Sequence, residues 1–404
     1  MFGKRYSLML MTILSLSLSA RAADWPVFGG PTRDGVAPDT GLNMDWTAHP
    51  PKTLWTATLS DNGHAAPTIA DGKVYIVDHA GSQDNVRAID LATGTDVWTF
   101  SYPDAAKFRN GFTHGAPAIA DGRVYTFSKL GKVHCLDAKT GKLIWTRDGV
   151  AEFAGRRPEW DFAASPVVAD GKLFLIPGGI GAAVVALDAA TGKTLWQEGN
   201  SKAAYASPVL ATINGKSQLV AFIGEGLVGL DADTGKRLWS FAWPINYDQN
   251  SASPIVRGNT VFISTAWKKG SVLLDVTDNQ PKVIWQTKDM QARFSTPVFY
   301  QGRIYGSQDS GKIVCLDAQT GALLWMQPGY EFASTIAVDG RVIYLEGKTG
   351  DLVLLDAKTA EFKQLARIRP LPGPECWTAP ILSDGRLIVR NKKSLACVDL
   401  RAER

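Results

Sequence analysis

Eight side chains recur at one register of this sequence: His64, His114, Ala163, Tyr205, Ser251, Phe294, Phe332 and Trp377. Each lies three residues before the Pro, or its equivalent, that opens an apolar segment. A set so rich in imidazole and flat rings offers two outcomes. It can stack a planar ligand, or its rings can simply plug an opening. His64, His79 and His114, together with Asp78 or Asp161, are candidate transition-metal ligands through imidazole nitrogen. No local spacing motif backs them, and hydrogen-bonded histidines have the same appearance in a sequence.

Two further stretches mix charge with aromatic rings. In Glu152–Asp161, Arg156 and Arg157 are candidate forks for an acidic or planar ligand, with Trp160 beside them. Asp161 is the candidate catalytic base. The competing reading is a surface loop pinned by its own Trp. In Trp243–Asp248, Trp243 is a candidate ligand-facing ring, and Asn246 and Asp248 are candidate oxygen ligands for a metal. Cys135, Cys315 and Cys397 share one repeat position with Ala88, Ala186 and Gly229, so they read as small core residues. With Cys376 two strands from Cys397, no disulfide is expected.

The elements that must position these residues come from an internal repeat. AIDLATGTDVW (Ala88–Trp98), CLDAKTGKLIW (Cys135–Trp145), ALDAATGKTLW (Ala186–Trp196), GLDADTGKRLW (Gly229–Trp239) and CLDAQTGALLW (Cys315–Trp325) are close copies. LLDVTDNQPKVIW (Leu273–Trp285) and LLDAKTAEFKQL (Leu354–Leu365) are looser ones, and CVDL (Cys397–Leu400) is a fragment. The strand-ending Asp recurs about every 44 residues, the period of a four-stranded propeller blade. Before each copy stand two apolar runs joined by a turn such as Asp-Gly, a hairpin signal.

Each unit therefore holds strands A, B, C and D, and eight units make an all-β, eight-bladed β-propeller. The last unit lacks a strand D, while the segment around Trp55 is a lone D-like strand ahead of the first unit. That N-terminal strand is expected to complete the last blade and close the ring, which protects the sheet edges. The long loops D–A and B–C fall on one face, where binding usually resides.

Lys4 and Arg5, an uncharged run from Leu8 to Leu18, and Ala20-Arg21-Ala22 read as a cleavable export signal. The expected organisation is a signal peptide over 1–22, a lead segment over 23–50 and the propeller over 51–404. Cleavage would lower the formal charge from +4 to +1, so no nucleic-acid partner is indicated. Neither a spanning segment nor a Cys for lipid anchoring is seen near the cleavage site, and a periplasmic or secreted monomer is expected.

The Ala-x-Asp-x-x-Thr-Gly-x-x-x-Trp phrase resembles the repeat of pyrroloquinoline-quinone-type propellers, over roughly residues 51–404. That superfamily includes quinoprotein alcohol dehydrogenases and a non-catalytic lipoprotein of outer-membrane protein assembly. The resemblance implies that Trp98, Trp145, Trp196, Trp239, Trp285 and Trp325 dock between blades, with Trp55 closing the ring. It also leaves two functions open. One is an exported binding or scaffolding module that holds a protein, peptide or glycan on its loop face, without a cofactor. The other is a quinone-dependent dehydrogenase. There Tyr205, Phe294, Phe332 or Trp377 would stack pyrroloquinoline quinone, Asn246 and Asp248 would hold Ca²⁺, and Asp161 would be the base.

Overall fold

The structure, a computed structural model, describes residues 24–60, 62–105, 111–371, 373 and 375–402. The export signal expected over 1–22 lies outside these residues. Among them no helix is long and apolar enough to cross a membrane.

The chain folds into eight four-stranded antiparallel sheets arranged as a propeller. Blade 1 is typical, with strand A at Thr68–Ala70, B at Lys73–Ala80, C at Gln83–Asp90 and D at Asp96–Pro103. Its A–B turn is Asp71-Gly72, with φ of 49° and 70°, the primed turn that matches strand twist. Its C–D turn is fixed by Asp90, whose Oδ1 accepts hydrogen bonds from the Thr93 amide at 2.9 Å and the Thr93 hydroxyl at 3.0 Å. Asp137, Asp188, Asp231 and Asp317 do the same, and these hydrogen bonds hold each carboxyl below the usual range.

Blade 8 takes strands A to C from Ile381–Ser383, Arg386–Arg390 and Ser394–Asp399. Its outer strand is Lys52–Thr58, with Trp55 opposite Cys397. The ring is thus closed by the N-terminal strand.

Each C–D pair carries a bulge, which lies beside the repeat Trp in seven blades and at Leu365 in blade 7. Trp98 stands opposite Ala88, Trp145 opposite Cys135, Trp239 opposite Gly229 and Trp325 opposite Cys315. The small residue leaves room for the indole: a Cβ on Gly229 would meet Trp239 at 2.1 Å. That geometry accounts for three of the four cysteines. All four are free and buried, and burial pushes the Cys315 and Cys397 thiols up to about 12.

The indoles then reach across the blade gaps. Trp55 Nε1 donates to the Leu91 carbonyl at 2.9 Å, Trp98 to Ala138 at 3.1 Å, Trp145 to Ala189 at 3.1 Å, Trp196 to Ala232 at 3.1 Å and Trp285 to Ala318 at 3.2 Å. Each acceptor lies in the next blade. Tyr75 and Tyr125 hydroxyls donate to the same Ala138 and Ala189 carbonyls. Trp239 differs: it donates to Gln218 Oε1 of its own blade at 2.8 Å.

Hydroxyls knit the inner strands. The Ala116 amide donates to Ser165 Oγ, Ser165 to Ser207, Ser207 to Ser253 and Ser253 to Thr296, all at 2.9–3.0 Å. These side chains are therefore engaged in joining blades 2 to 6.

The lead segment forms a strap over the short-turn face. Trp25 exchanges backbone hydrogen bonds with Ile69 of blade 1 at 2.9 and 2.8 Å, and the Ile119 amide of blade 2 donates to Pro26 at 2.8 Å. Asp34 binds Arg257 of blade 5 at 2.7 Å, and Gly35 and Ala37 bracket Ala337 of blade 7. The Asn43 amide donates to Leu400 of blade 8 at 2.7 Å. The strap thus closes one end of the central channel.

Candidate binding cup at the channel mouth

With the strap as its floor, the channel becomes a cup of about 330 Å³. All eight members of the recurring register line it: His64, His114, Ala163, Tyr205, Ser251, Phe294, Phe332 and Trp377. Each lies just before a strand A, and strand A is innermost, so the eight blades present them around one opening. Trp25, Phe28, Gly29, Arg33 and Gly35 line the cup from the strap.

The rings do not stand evenly. On one side His64 stacks on Trp377 with centroids 4.5 Å apart, and Trp377 stacks on Phe294 at 5.2 Å. Phe332 joins them at 5.3 Å from Trp377. Arg293 lies over Trp267, Phe294 and Phe332, its guanidinium carbon 4.9, 5.0 and 5.9 Å from their centroids. On the other side Trp160 packs on Tyr205 at 5.9 Å and on Tyr247 at 6.3 Å. The Tyr205 hydroxyl accepts from the Trp160 amide at 3.2 Å. Tyr247, 68% exposed, and Trp267, 51% exposed, present their rings to solvent.

The mouth loops also concentrate left-handed backbone. Asp161, Tyr247, Asp248, Trp267, Lys268, Phe332 and Glu375 all have φ between 52° and 66°. For residues with a Cβ this conformation costs energy, and it persists where surrounding structure enforces it.

Imidazole chemistry is restricted here. Burial, and the cations Arg390, Lys392 and Lys129, lower the His64 pKa to about 3, so its ring is neutral. The buried His79 has Nδ1 2.7 Å from Asp84 Oδ1 and Nε2 3.0 Å from the Gly81 carbonyl. Both nitrogens are engaged, so His79 is not placed to ligate a metal. Among the described residues no group of three or more His, Cys, Asp or Glu is arranged to hold a metal ion. Asp78 accepts from the Ser60 amide and from Arg87.

The remaining candidates separate. Arg156 donates to the backbone carbonyls of Gly178 and Asn200, and Arg157 pairs with Asp161 at 3.2 Å. Asp161 is also 3.6 Å from the buried Lys129 Nζ. It is thus held between two cations and does not line the cup. Trp243 corrects the expectation that it faces a ligand. It is 4% exposed, donates to Thr265 Oγ1 at 3.1 Å and lies under Lys269. Asn246 is exposed, and Asp248 faces Lys202 at 4.0 Å. Neither lines the cup.

Sequence reasoning missed Arg33, Arg293 and Trp267. Arg33 lies in an irregular segment, and Arg293 and Trp267 fall in loops outside the repeated register.

The profile of a family described as outer membrane protein assembly factor BamB (PQQ_2) matches residues 28–99, 82–292 and 268–363. The assembly factor BamB of Moranella endobia (strain PCIT) is 24% identical over 369 residues, which cover 84% of this chain and 77% of that protein. A quinohemoprotein alcohol dehydrogenase of Comamonas testosteroni is 27% identical over 198 residues, 44% of this chain but 26% of the enzyme. The crystal structure of BamB from Moraxella catarrhalis aligns with a TM-score of 0.66 at 17% identity, covering 86% of this chain and 99% of that one.

Proposed function

The chain belongs to the PQQ_2 family of BamB-type propellers, and from that premise we propose that it is an exported, non-catalytic binding module that holds a protein partner on its loop face. The observation that carries this reading is the aromatic rim. Tyr247 and Trp267 stand more than half exposed on left-handed backbone around a rigid eight-bladed ring. Exposed aromatics on a stiff scaffold are typical anchors of protein interfaces. The likeness to outer membrane protein assembly factors supports a partner drawn from that process.

The quinone-dependent alternative fits the residues poorly. Ca²⁺ needs several oxygen ligands, usually with carboxylates among them. Among the described residues no Asp or Glu lines the cup. Asn246 and Asp248 lie outside it, and Asp161 is already paired with Arg157. No step through the quinone is therefore derived.

Site-specific photocrosslinking in cells tests the proposal. A crosslinker at Tyr247 or Trp267 is expected to trap a protein partner, and one at Lys139 on the turn face is not. Equal labelling from both faces, or dye-linked alcohol oxidation on adding pyrroloquinoline quinone and Ca²⁺, would overturn it.

A further inference from the structure

The charges of the cup have one sign. Among the described side chains lining it, Arg33 and Arg293 alone carry a formal charge, apart from the imidazoles of His64 and His114. His64 stays neutral because burial, then the neighbouring cations, disfavour its charged form. Both guanidiniums are incompletely satisfied, since Nε of Arg33 and Nε of Arg293 are buried without a protein partner. Among the described residues the Arg33 guanidinium makes one long hydrogen bond, 3.4 Å to the Val168 carbonyl, and the charge of Asp170 acts on it without a hydrogen bond. Arg293 has one carboxylate, Asp309, at 3.2 Å. A buried donor left unpaired is unfavourable, more so when charged, so each guanidinium gains from an acceptor that a small rotation brings within its reach.

The walls between these two residues are apolar or already engaged. Ala66, Pro67, Pro208, Val209, Ile336 and Ile381 contribute carbon surface. Ser165, Ser207, Ser253 and Thr296 accept amide hydrogens from the neighbouring blades. A ligand therefore gains charge pairing at the Arg33 floor and hydrophobic burial along the shaft.

We infer that the cup binds a carboxylate carried on an apolar body, with its anionic end at Arg33 on the strap and its body passing Arg293 towards the mouth. The site goes beyond the rim-borne partner proposed above, because its floor lies beneath the aromatic rim. The same chemistry comes from a free aliphatic acid or from the C-terminus of a peptide ending in an apolar residue.

Calorimetry and tryptophan fluorescence on the whole chain test this. The probes are decanoate, decanol, decyltrimethylammonium, and N-acetyl-Leu-Phe as free acid and as amide. Binding of decanoate alone assigns the free acid, and binding of the peptide acid assigns the chain terminus. Arg33→Met keeps the bulk of the side chain and is expected to weaken acid binding roughly tenfold or more, the loss of one charge-assisted hydrogen bond. Arg293→Met is expected to weaken it less, since Asp309 already shares that charge. If Arg33→Met does not fold, the wild-type protein still decides: acid affinity should fall as salt rises from 50 to 500 mM. Decanol or the amide binding as tightly as its acid would overturn the inference. So would no response to either acid at millimolar concentration, or an unchanged affinity in a folded Arg33→Met protein.

Discussion

A Cβ on Gly94 would lie 2.6 Å from Cδ2 of Trp55, so the first Thr-Gly turn is the seat for the indole that closes the ring. The same pairing links Gly141 with Trp98, Gly192 with Trp145, Gly235 with Trp196 and Gly321 with Trp285. Where the repeat loses its Gly, the preceding indole finds another neighbour. Blade 5 has Asp278-Asn279, and Trp239 turns to Gln218. Blade 7 has Ala360, and Trp325 meets Phe362 edge-on at 5.3 Å.

Gly94→Ala should therefore destabilise the fold by about 2–4 kcal/mol, combining overpacking with a side chain at φ of +76°. Gly72→Ala is the control, since its φ is +70° but nothing lies within 4 Å. It should cost about 1 kcal/mol. Denaturant unfolding of both variants checks the difference, and equal losses would remove the indole from the explanation.

Gln218→Leu leaves the buried Trp239 N–H without its acceptor. The expected loss is about 1–3 kcal/mol, read as a lower unfolding midpoint with an unchanged denaturant slope. Trp239→Phe in the same background should recover part of it, because the orphaned donor is gone.

The strap depends on Asp34. This buried carboxylate accepts from the Thr32 hydroxyl and the Val36 amide, and pairs with Arg257. Asp34→Ala should cost about 1–2 kcal/mol, chiefly the lost hydrogen bonds to Thr32 and Val36, because Arg257, 45% exposed, stays solvated. Limited proteolysis should then cut first within residues 24–50. Cleavage elsewhere at the same rate as in the wild type would count against a strap held by this ion pair.

The buried His134, packed on Tyr102 at 4.1 Å, sets an acid limit. Desolvation, then Lys132, lowers its pKa to about 4. Between pH 6.5 and 4 the unfolded chain binds a proton that the folded chain refuses, so this contribution is complete above pH 6.5 and lost on acidification. Its size is on the order of 3 kcal/mol. Asp84 acts oppositely, since burial and then Asp104 raise its pKa, so its contribution is present at low pH and declines as pH rises. His134→Gln should therefore flatten the acid limb relative to wild type. Unfolding free energies at pH 4, 5, 6 and 7 measure it, and parallel profiles would reject the assignment.

Much of the fold was legible because the repeat writes its packing rule into residue types. The small residue opposite each Trp and the Gly beneath it are steric requirements, and both recur visibly at fixed spacing. The mouth register was legible for the same reason. The strap was not, because its hydrogen bonds run from irregular backbone to several blades and leave no period. Arg33 gave no sign of lining the cup, since its neighbourhood exists only once the segment crosses the channel. Trp243 misled because an aromatic in a long loop looks alike whether it faces solvent or, as here, packs against Phe241 at 6.0 Å and beneath Lys269.

Closure by Lys52–Thr58 also fixes an order of events in time. The strand is made early, yet its sheet partner is Ser394–Asp399, about 340 residues later. Until that partner emerges, blade 8 does not exist and Trp55 has no sheet behind it. Pairing over so long a stretch of chain is slow, because loop closure must precede any gain from contact. An early strand left waiting is an exposed edge, open to wrong partners. That edge is covered only when Ser394–Asp399 pairs with it, so the first strand of the propeller is among the last to find its place.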